Sequence, residues 1–526
     1  MLTTVSQRPI PAGPEPECVP RAPRAAASTT RRKQEFLARF HSWVRGVTPI
    51  QLNLAIRRDR HIGASPVTLW LPHHTFRKET PMIKNLMSLA PALQTLFTEV
   101  ADELAQDVNL VKRKRKLTGS VLAQTLVFGW LDKPMATLEE LADFAMAAGV
   151  DVSPQAIDQR ITPAAVDFFE ALLCRALEYS CQVPSKDIPL LKRFNGVYAF
   201  DTTDISLPAS MAKFFVGLGG STPDASPAAC SIQYCVELSE QGIVDLQLAG
   251  IRRNDLCYDL AHASLPVGSL LLNDLGFFNL DRLNNYDSEG VYYISRWKPG
   301  MLVCGSDKVP SKLIEYLEKT GQGVVDQWVS IGEKGVRTRL VAFRLAPELA
   351  KRRREKLLAQ CRKKGKKVSP SKLAACDWDA AITNVPATML TLEEVIRLRR
   401  LRWQQELLFK QFKSIGCIDK TSGEREDRVY VELLAKLIGQ LVSSWQLLVS
   451  LGSMVSWSWY RGSKRVQGLW RDLVSQMGSL EGLVGWLVRV ATRLKRGGKK
   501  KRLSAILGGI RLWPCQSGPT PGVGSF

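Results

Sequence analysis

Histidine is scarce in this chain of 526 residues. There are five, four lie at or before His74, and only His262 falls in the part that reads as folded. A Ser-His-Asp or Cys-His arrangement would rest on that one residue, so histidine-based catalysis is poorly supported. The eleven cysteines include no CxxC pair, which removes zinc ribbons and thioredoxin-like motifs and fits buried, reduced thiols in a cytosolic protein. The opening "MLTTVSQRPIPAGPEPECVPRAP" lacks the apolar core of a signal peptide, so secretion is not expected. No long apolar run is free of polar residues either. The best, Val431 to Tyr460, contains Glu432, Lys436, Gln440, Ser443, Ser444, Gln446 and Ser450, and reads as a buried soluble helix pair rather than a membrane span.

Acids are also in deficit. Seventy-two Lys and Arg face fifty Asp and Glu, a formal charge of +22. The bases come in runs: Lys112–Lys116, Lys351–Arg354, Arg362–Lys367, Arg397–Arg402 and Lys495–Arg502. Such a chain seeks polyanions, nucleic acid first among them; a solvated basic surface is the plainer alternative.

Composition and periodicity divide the chain into six stretches. Residues 1–81, rich in Pro, Arg and Ala, read as a disordered or misassigned extension, with Met82 a candidate start. Residues 82–190 show helical spacing beside the KRKRK run, as either a helical DNA-binding domain or an ordinary bundle, with Ser153-Pro154 as a helix start. At Asn195 the pattern changes. "GVYAFD", a pair of strands in "AACSIQYCVELSEQGIVDLQLAGI", a helical piece from Asp255 to about Ser264 and "GSLLLND" imply an α/β core over 191–298. Residues 299–385 read as a β-rich insertion carrying a basic helix from Pro347 to about Lys367. A helix within 386–425 returns to the core, and 426–526 is a helical region with a basic tail, a candidate for dimerisation.

Carboxylates remain as the candidates for chemistry. Asp201 and Asp274 each close an apolar strand, where an aspartate alone is usually a cap or turn. Two at one sheet edge would repel, and a hard divalent cation relieves that repulsion. In "RRLRWQQELLFKQFK", at about 100° per residue from Arg399, Arg402 falls near 300°, Glu406 near 340° and Lys413 near 320°, one narrow stripe. Trp403, Leu407, Leu408, Phe409 and Phe412 around it predict a buried helix, in which Glu406 needs a partner: Arg402 at i−4 as a structural ion pair, or a metal shared with the two aspartates. Asp204, Asp255 and Asp259 rank lower, and Glu393 and Glu394 suit the first turn of that helix.

The spacing of Arg402, Glu406 and Lys413, with "YAFDTTDISLP" and "LLLNDLGFF" upstream in the same order, resembles the Y-R-E-K motif and the two aspartate regions of the bacterial DDE transposases of the insertion-sequence-four type. The resemblance spans roughly Leu86 to Lys495. It implies an α/β, ribonuclease H-like catalytic core with a β-rich insertion, preceded by a helical DNA-binding domain and followed by a helical C-terminal region. It implies Asp201, Asp274 and Glu406 as the catalytic and metal-binding triad for Mg²⁺, with Mn²⁺ as a substitute, and Arg399, Arg402 and Lys413 as DNA contacts. Arg399 stands where the family motif has tyrosine. Trp297 or Trp328 would be the aromatic that holds a flipped base, with a core tryptophan as the plainer reading. The implied partners are terminal inverted repeats and target DNA, bound by a homodimer in a synaptic complex at the bacterial nucleoid, with no membrane. The rival expectations are a decayed, transposase-derived DNA-binding protein and a structure-selective nuclease on the same fold.

Overall fold

The computed structural model describes residues 81–496 apart from 114, 180–188, 220–225, 240–241, 254–264, 299, 364 and 453–456. The N-terminal extension, the Asp255–Ser264 helical piece with Asp255, Asp259 and His262, and the basic tail lie outside these residues.

Six helices come first: α1 (Pro81–Thr95), α2 (Ala101–Asp107), α3 (Gly119–Asp132), α4 (Leu138–Ala147), α5 (Pro154–Asp158) and α6 (Pro163–Glu178). Local sequence sets their starts. Thr118 caps α3 by accepting from the Val121 amide, and Thr137 and Glu140 form a reciprocal capping box on α4. Ser153 caps α5 with Pro154 in its first turn, as the Ser-Pro pair predicts.

Strands then alternate with short helices. They are β1 (Val197–Leu207), β2 (Ala228–Glu237), β3 (Gly242–Gly250), β4 (Leu270–Asn273), α7 (Leu280–Ser288), β5 (Tyr292–Ser295), β6 (Leu302–Cys304), β7 (Ser311–Lys312), α8 (Leu313–Lys319), β8 (Val324–Ile331), β9 (Val336–Arg344), α9 (Pro347–Lys363), α10 (Pro370–Ala374) and β10 (Trp378–Thr383). All ten strands form one sheet, in the order β3-β2-β1-β4-β5-β10-β9-β8-β6-β7. β1, β4 and β5 run parallel, while β2 and β3 pair antiparallel on the β1 side. β2 is buried along its whole length, consistent with its central place between β1 and β3. The insertion strands do not make a sheet of their own. Their return strand β10 pairs with β5 on one side and β9 on the other, prolonging the same ladder.

One apolar cluster joins the two halves of the sheet. Tyr198, Phe200, Leu271 and Tyr293 from the first half share it with Leu340 and Ile382 from the second.

The remaining helices are α11 (Leu392–Leu401), α12 (Trp403–Ser414), α13 (Glu426–Leu451), α14 (Trp459–Val466), α15 (Trp470–Gln476) and α16 (Leu480–Lys495). α13 is long and apolar enough to cross a membrane, yet its most apolar stretch is wholly buried within the protein, packed against α3, α6 and α16. The expected helix pair over Val431–Tyr460 is therefore one 26-residue helix followed by a short one. The polar residues that interrupt its sequence are internal. Lys436 pairs with Glu432 at 2.8 Å and donates to the carbonyls of Cys417 and Lys420, and Ser422 donates to Glu432.

Candidate active site

Asp201 lies in the middle of β1, not at its end: the strand continues for six residues beyond it, with Asp204 still in the ladder opposite Ser231. Ser231 donates to the Asp204 carboxylate, which makes this second acid part of the strand pairing. Asp274 directly follows β4, as the apolar run predicts, and immediately precedes the short helical turn Leu275–Phe277, to which its side chain makes no capping bond. Parallel pairing of Val197 with Leu270 and Ala199 with Leu272 carries Asp201 and Asp274 along adjacent strands in the same direction. Residues two apart on a strand share a face, so both aspartates project from one side of the sheet.

Glu406 arrives from the other side of the fold. Thr391 and Glu394 form a capping box that starts α11. The expected single helix through Arg399–Lys413 is interrupted at Arg402, whose backbone stays helical (φ −50°, ψ −34°) while belonging to neither hydrogen-bonded helix. α12 buries Gln405, Leu408, Gln411 and Phe412, and Tyr234 of β2 meets Phe409 edge to face at 4.5 Å between ring centroids. Tyr234 also donates its hydroxyl proton to the Gln405 carbonyl, fixing the first turn of α12 over the sheet. Glu406 itself points away from that packing and is half exposed, unlike the buried acid expected from the apolar residues around it.

The three carboxylates converge on one cation. The Arg402 guanidinium lies 3.3 Å from Asp201 Oδ2, 3.2 Å from Glu406 Oε1 and 3.7 Å from Asp274 Oδ1. Arg296 adds a second contact to Asp274 at 3.5 Å. Burial pushes the Asp201 carboxyl up to about 6; Arg402 and the Thr202 amide oppose this, and the neighbouring Asp274 and Glu406 charges add to it. A carboxyl so placed needs positive charge, and the all-oxygen donor set of three acids suits a hard divalent cation. Among the described residues no group of three or more His, Cys, Asp or Glu is already gathered as a metal cage; the group touching all three acids is Arg402.

The other basic residues of the motif have separate partners. Lys413 donates to the Asp204 carbonyl at 2.7 Å, which holds it over the strand that carries Asp201. Arg399 is only 16% exposed, and its guanidinium is engaged by the Asp379 carboxylate and, at 2.8 Å, by the Ala380 carbonyl of β10. Asp379 is 2% exposed and also binds Arg400 at 3.2 Å and Arg353 of α9 at 3.4 Å. Burial would raise its pKa, but the arginines, Arg399 foremost, more than reverse that and hold it below the usual carboxylate range. Sequence reasoning missed Asp379. Its position after Trp378 in a short apolar run was the available signal. Of the two tryptophans, Trp297 packs against the central cluster, whereas Trp328 is exposed on β8 with the Arg337 guanidinium 4.9 Å from its ring centre.

Residues 244–440 match the family model described as "Transposase DDE domain"; Asp274 and Glu406 fall inside that span and Asp201 precedes it. The chain is 28% identical over 390 residues to "Transposase for insertion sequence element IS231F" of Bacillus thuringiensis subsp. israelensis, covering 69% of this chain and 80% of that protein. It is 26% identical over 386 residues to "Transposase for insertion sequence element IS1151" of Clostridium perfringens, covering 69% and 81%. A shorter match, 33% identical over 100 residues, links it to "Putative transposase InsL for insertion sequence element IS186A" of Escherichia coli K12, over 19% of this chain and 27% of that one.

Proposed function

We propose, on the premise that this chain belongs to the bacterial DDE transposases, that it binds the terminal inverted repeats of an insertion sequence and cleaves and rejoins DNA at Asp201, Asp274 and Glu406. The observation that carries this is the convergence of three carboxylates, from β1, the end of β4 and the start of α12, on the single guanidinium of Arg402. The strand order β3-β2-β1-β4-β5, with its parallel and antiparallel pairs, supports a ribonuclease H-like core. Helices α1–α6 would form the DNA-binding domain, and two copies of the chain would pair the two ends of the element.

Asp201, Asp274 and Glu406 would hold the divalent cation, Mg²⁺ or Mn²⁺ in its place, which when bound supplies Lewis-acid stabilisation of the phosphodiester and a more nucleophilic water or 3′-hydroxyl. The remaining work falls to the chain's own groups. Arg402, once those acids are neutralised, would present its guanidinium to the scissile phosphate, where a bidentate contact stabilises charge that develops on the equatorial oxygens. Lys413, about three turns beyond, contacts a neighbouring stretch of the backbone as a point charge. Arg399 has its donors committed to Asp379 and Ala380, so its part is to hold α11 against β10 and thereby aim Arg402. This chemistry belongs at the nucleoid of the bacterial cytoplasm, where its substrate lies.

The test is a supercoiled plasmid carrying the element's ends, incubated with Mg²⁺ and purified protein. Cleavage at the ends by the native chain, abolished in Asp201→Ala, Asp274→Ala and Glu406→Ala, is the expected result. No cleavage, with binding retained, identifies a decayed DNA-binding relative; cleavage that ignores the end sequence identifies a nuclease.

A further inference from the structure

Helix α9, which the catalytic reading leaves unused, carries a dense charge, much of it with no partner among the described residues. Of its 17 residues, Ala350 is the single buried one. Its inward stripe is held largely by charge: Arg353 reaches Asp379 and the Trp378 carbonyl, and Arg354 reaches Asp377 with its Nε at 3.0 Å. Lys351, Arg352, Lys356, Arg362 and Lys363 are exposed, and none forms an ion pair or side-chain hydrogen bond with another described residue. Lys366 and Lys367 extend the run into the following loop.

At about 100° per residue, Arg352, Lys356 and Lys363 fall within about 40° of one another on the side turned away from Ala350. At ~1.5 Å rise per residue, they span roughly 16 Å along the helix. The nearby acids Glu348 and Glu355 are exposed and likewise make no ion pair with a described residue. Like charges at i, i+4 destabilise a helix, and this one has little apolar packing to offset them. A polyanion with evenly spaced charge would.

We propose that α9 is a second DNA-binding element, which tracks the phosphates of duplex DNA without reading its bases. The proposal rests on the reading that the substrate is DNA, and adds where the flanking duplex lies: along the outer face of the insertion. Lys356 and Lys363 are point charges that do not discriminate base edges, and Arg352 shares their stripe, so the contact proposed is to the phosphate backbone. Asp379 binds both Arg353 of α9 and Arg399 and Arg400 of α11, so DNA held on α9 is tied by one carboxylate to the helix that leads into Arg402.

The experiment uses the full chain and two labelled duplexes of equal length, one bearing the element's end and one unrelated. Affinity is measured by fluorescence anisotropy from about 50 to 200 mM salt, a range over which phosphate contacts declare themselves. Each contact contributes about −0.9 to the slope of log K against log salt. The variant Arg352→Gln/Lys356→Gln/Lys363→Gln should make that slope shallower by about 2 to 3 and weaken both duplexes alike, with a melting temperature no lower than the parent's. A control, Lys192→Gln/Lys308→Gln/Lys319→Gln, removes the same charge from exposed lysines elsewhere and should leave the slope in place. An unchanged slope in the α9 variant, an equal change in the control, or a loss confined to the end sequence overturns the proposal. Failure of the native chain to bind either duplex would instead overturn the reading of its substrate, and the proposal with it.

Discussion

Replacing Asp379 with asparagine should destabilise the protein more than replacing any one of the arginines it binds. Asparagine keeps the volume of the side chain and removes its charge. Arg353 and Arg400 are exposed enough to turn towards water, where an ion pair is worth little. Arg399 is not, and a buried charge stripped of its partner costs about 3–5 kcal/mol. The Ala380 carbonyl, still accepting from Arg399 at 2.8 Å, argues for the lower end, about 3 kcal/mol. At roughly 2–4 °C per kcal/mol, the melting temperature should fall by about 6–12 °C. Arg399→Tyr, which installs the motif's usual residue, deletes the cation instead and leaves Asp379 with Arg353 and Arg400, so its loss should be smaller. The double variant should be milder than the sum of the two, with a coupling of about 1–3 kcal/mol. Differential scanning calorimetry on the four proteins measures this. A melting temperature for Asp379→Asn within about 2 °C of the parent, or strict additivity in the double variant, would refute the account of Asp379 as the counter-ion of Arg399.

Three further outcomes follow from buried groups. The Glu170 carboxyl on α6, pushed up to about 8 by burial and by Asp167, is folded in its neutral form at neutral pH. Its stabilising contribution is full below its unfolded value near 4.5 and is lost as pH rises towards 8, so Glu170→Gln should gain a few kcal/mol relative to the parent above pH 8 and nothing at pH 4; a pH-independent difference in melting temperature would contradict this. Glu432→Gln strands Lys436, which is buried and has Glu432 as its carboxylate partner at 2.8 Å, and should cost about 3–5 kcal/mol in urea unfolding, with Glu432→Met/Lys436→Met milder than the single change. Gly119→Ala would place a methyl group 2.2 Å from the Ala101 carbonyl oxygen and 2.5 Å from Ala105 Cβ, forcing α2 off α3 at about 1–3 kcal/mol, visible as a lower denaturant midpoint.

The three acids that meet at Arg402 are legible in the sequence because each has a local signature: an apolar strand before Asp201 and Asp274, and a helical stripe around Glu406. Its surroundings are not, because they depend on contacts far apart along the chain. The stripe calculation treats Arg399–Lys413 as one rod, yet the interruption at Arg402 and the pull of Asp379 give Arg399 a different neighbour from Arg402. β10 escapes notice since its six buried residues are preceded by Cys376 and Asp377 and contain Asp379, a pattern that resembles a turn until three arginines neutralise it. Helix α13 is buried, as its sequence suggests; what the sequence does not show is how its polar residues are satisfied, by an internal ion pair and backbone carbonyls inside the bundle.

The excursion from β5 to β10 has its two ends side by side, since Ser295 pairs with Ile382 and Ile294 with Thr383. Loops between the insertion strands can change length without moving either end of the excursion, whereas the strands themselves share the core with β1 and β4. What cannot be exchanged freely is the last strand, because it brings Asp379 to meet Arg399. A graft of this segment between relatives should therefore succeed only when residue 379 and residue 399 travel together.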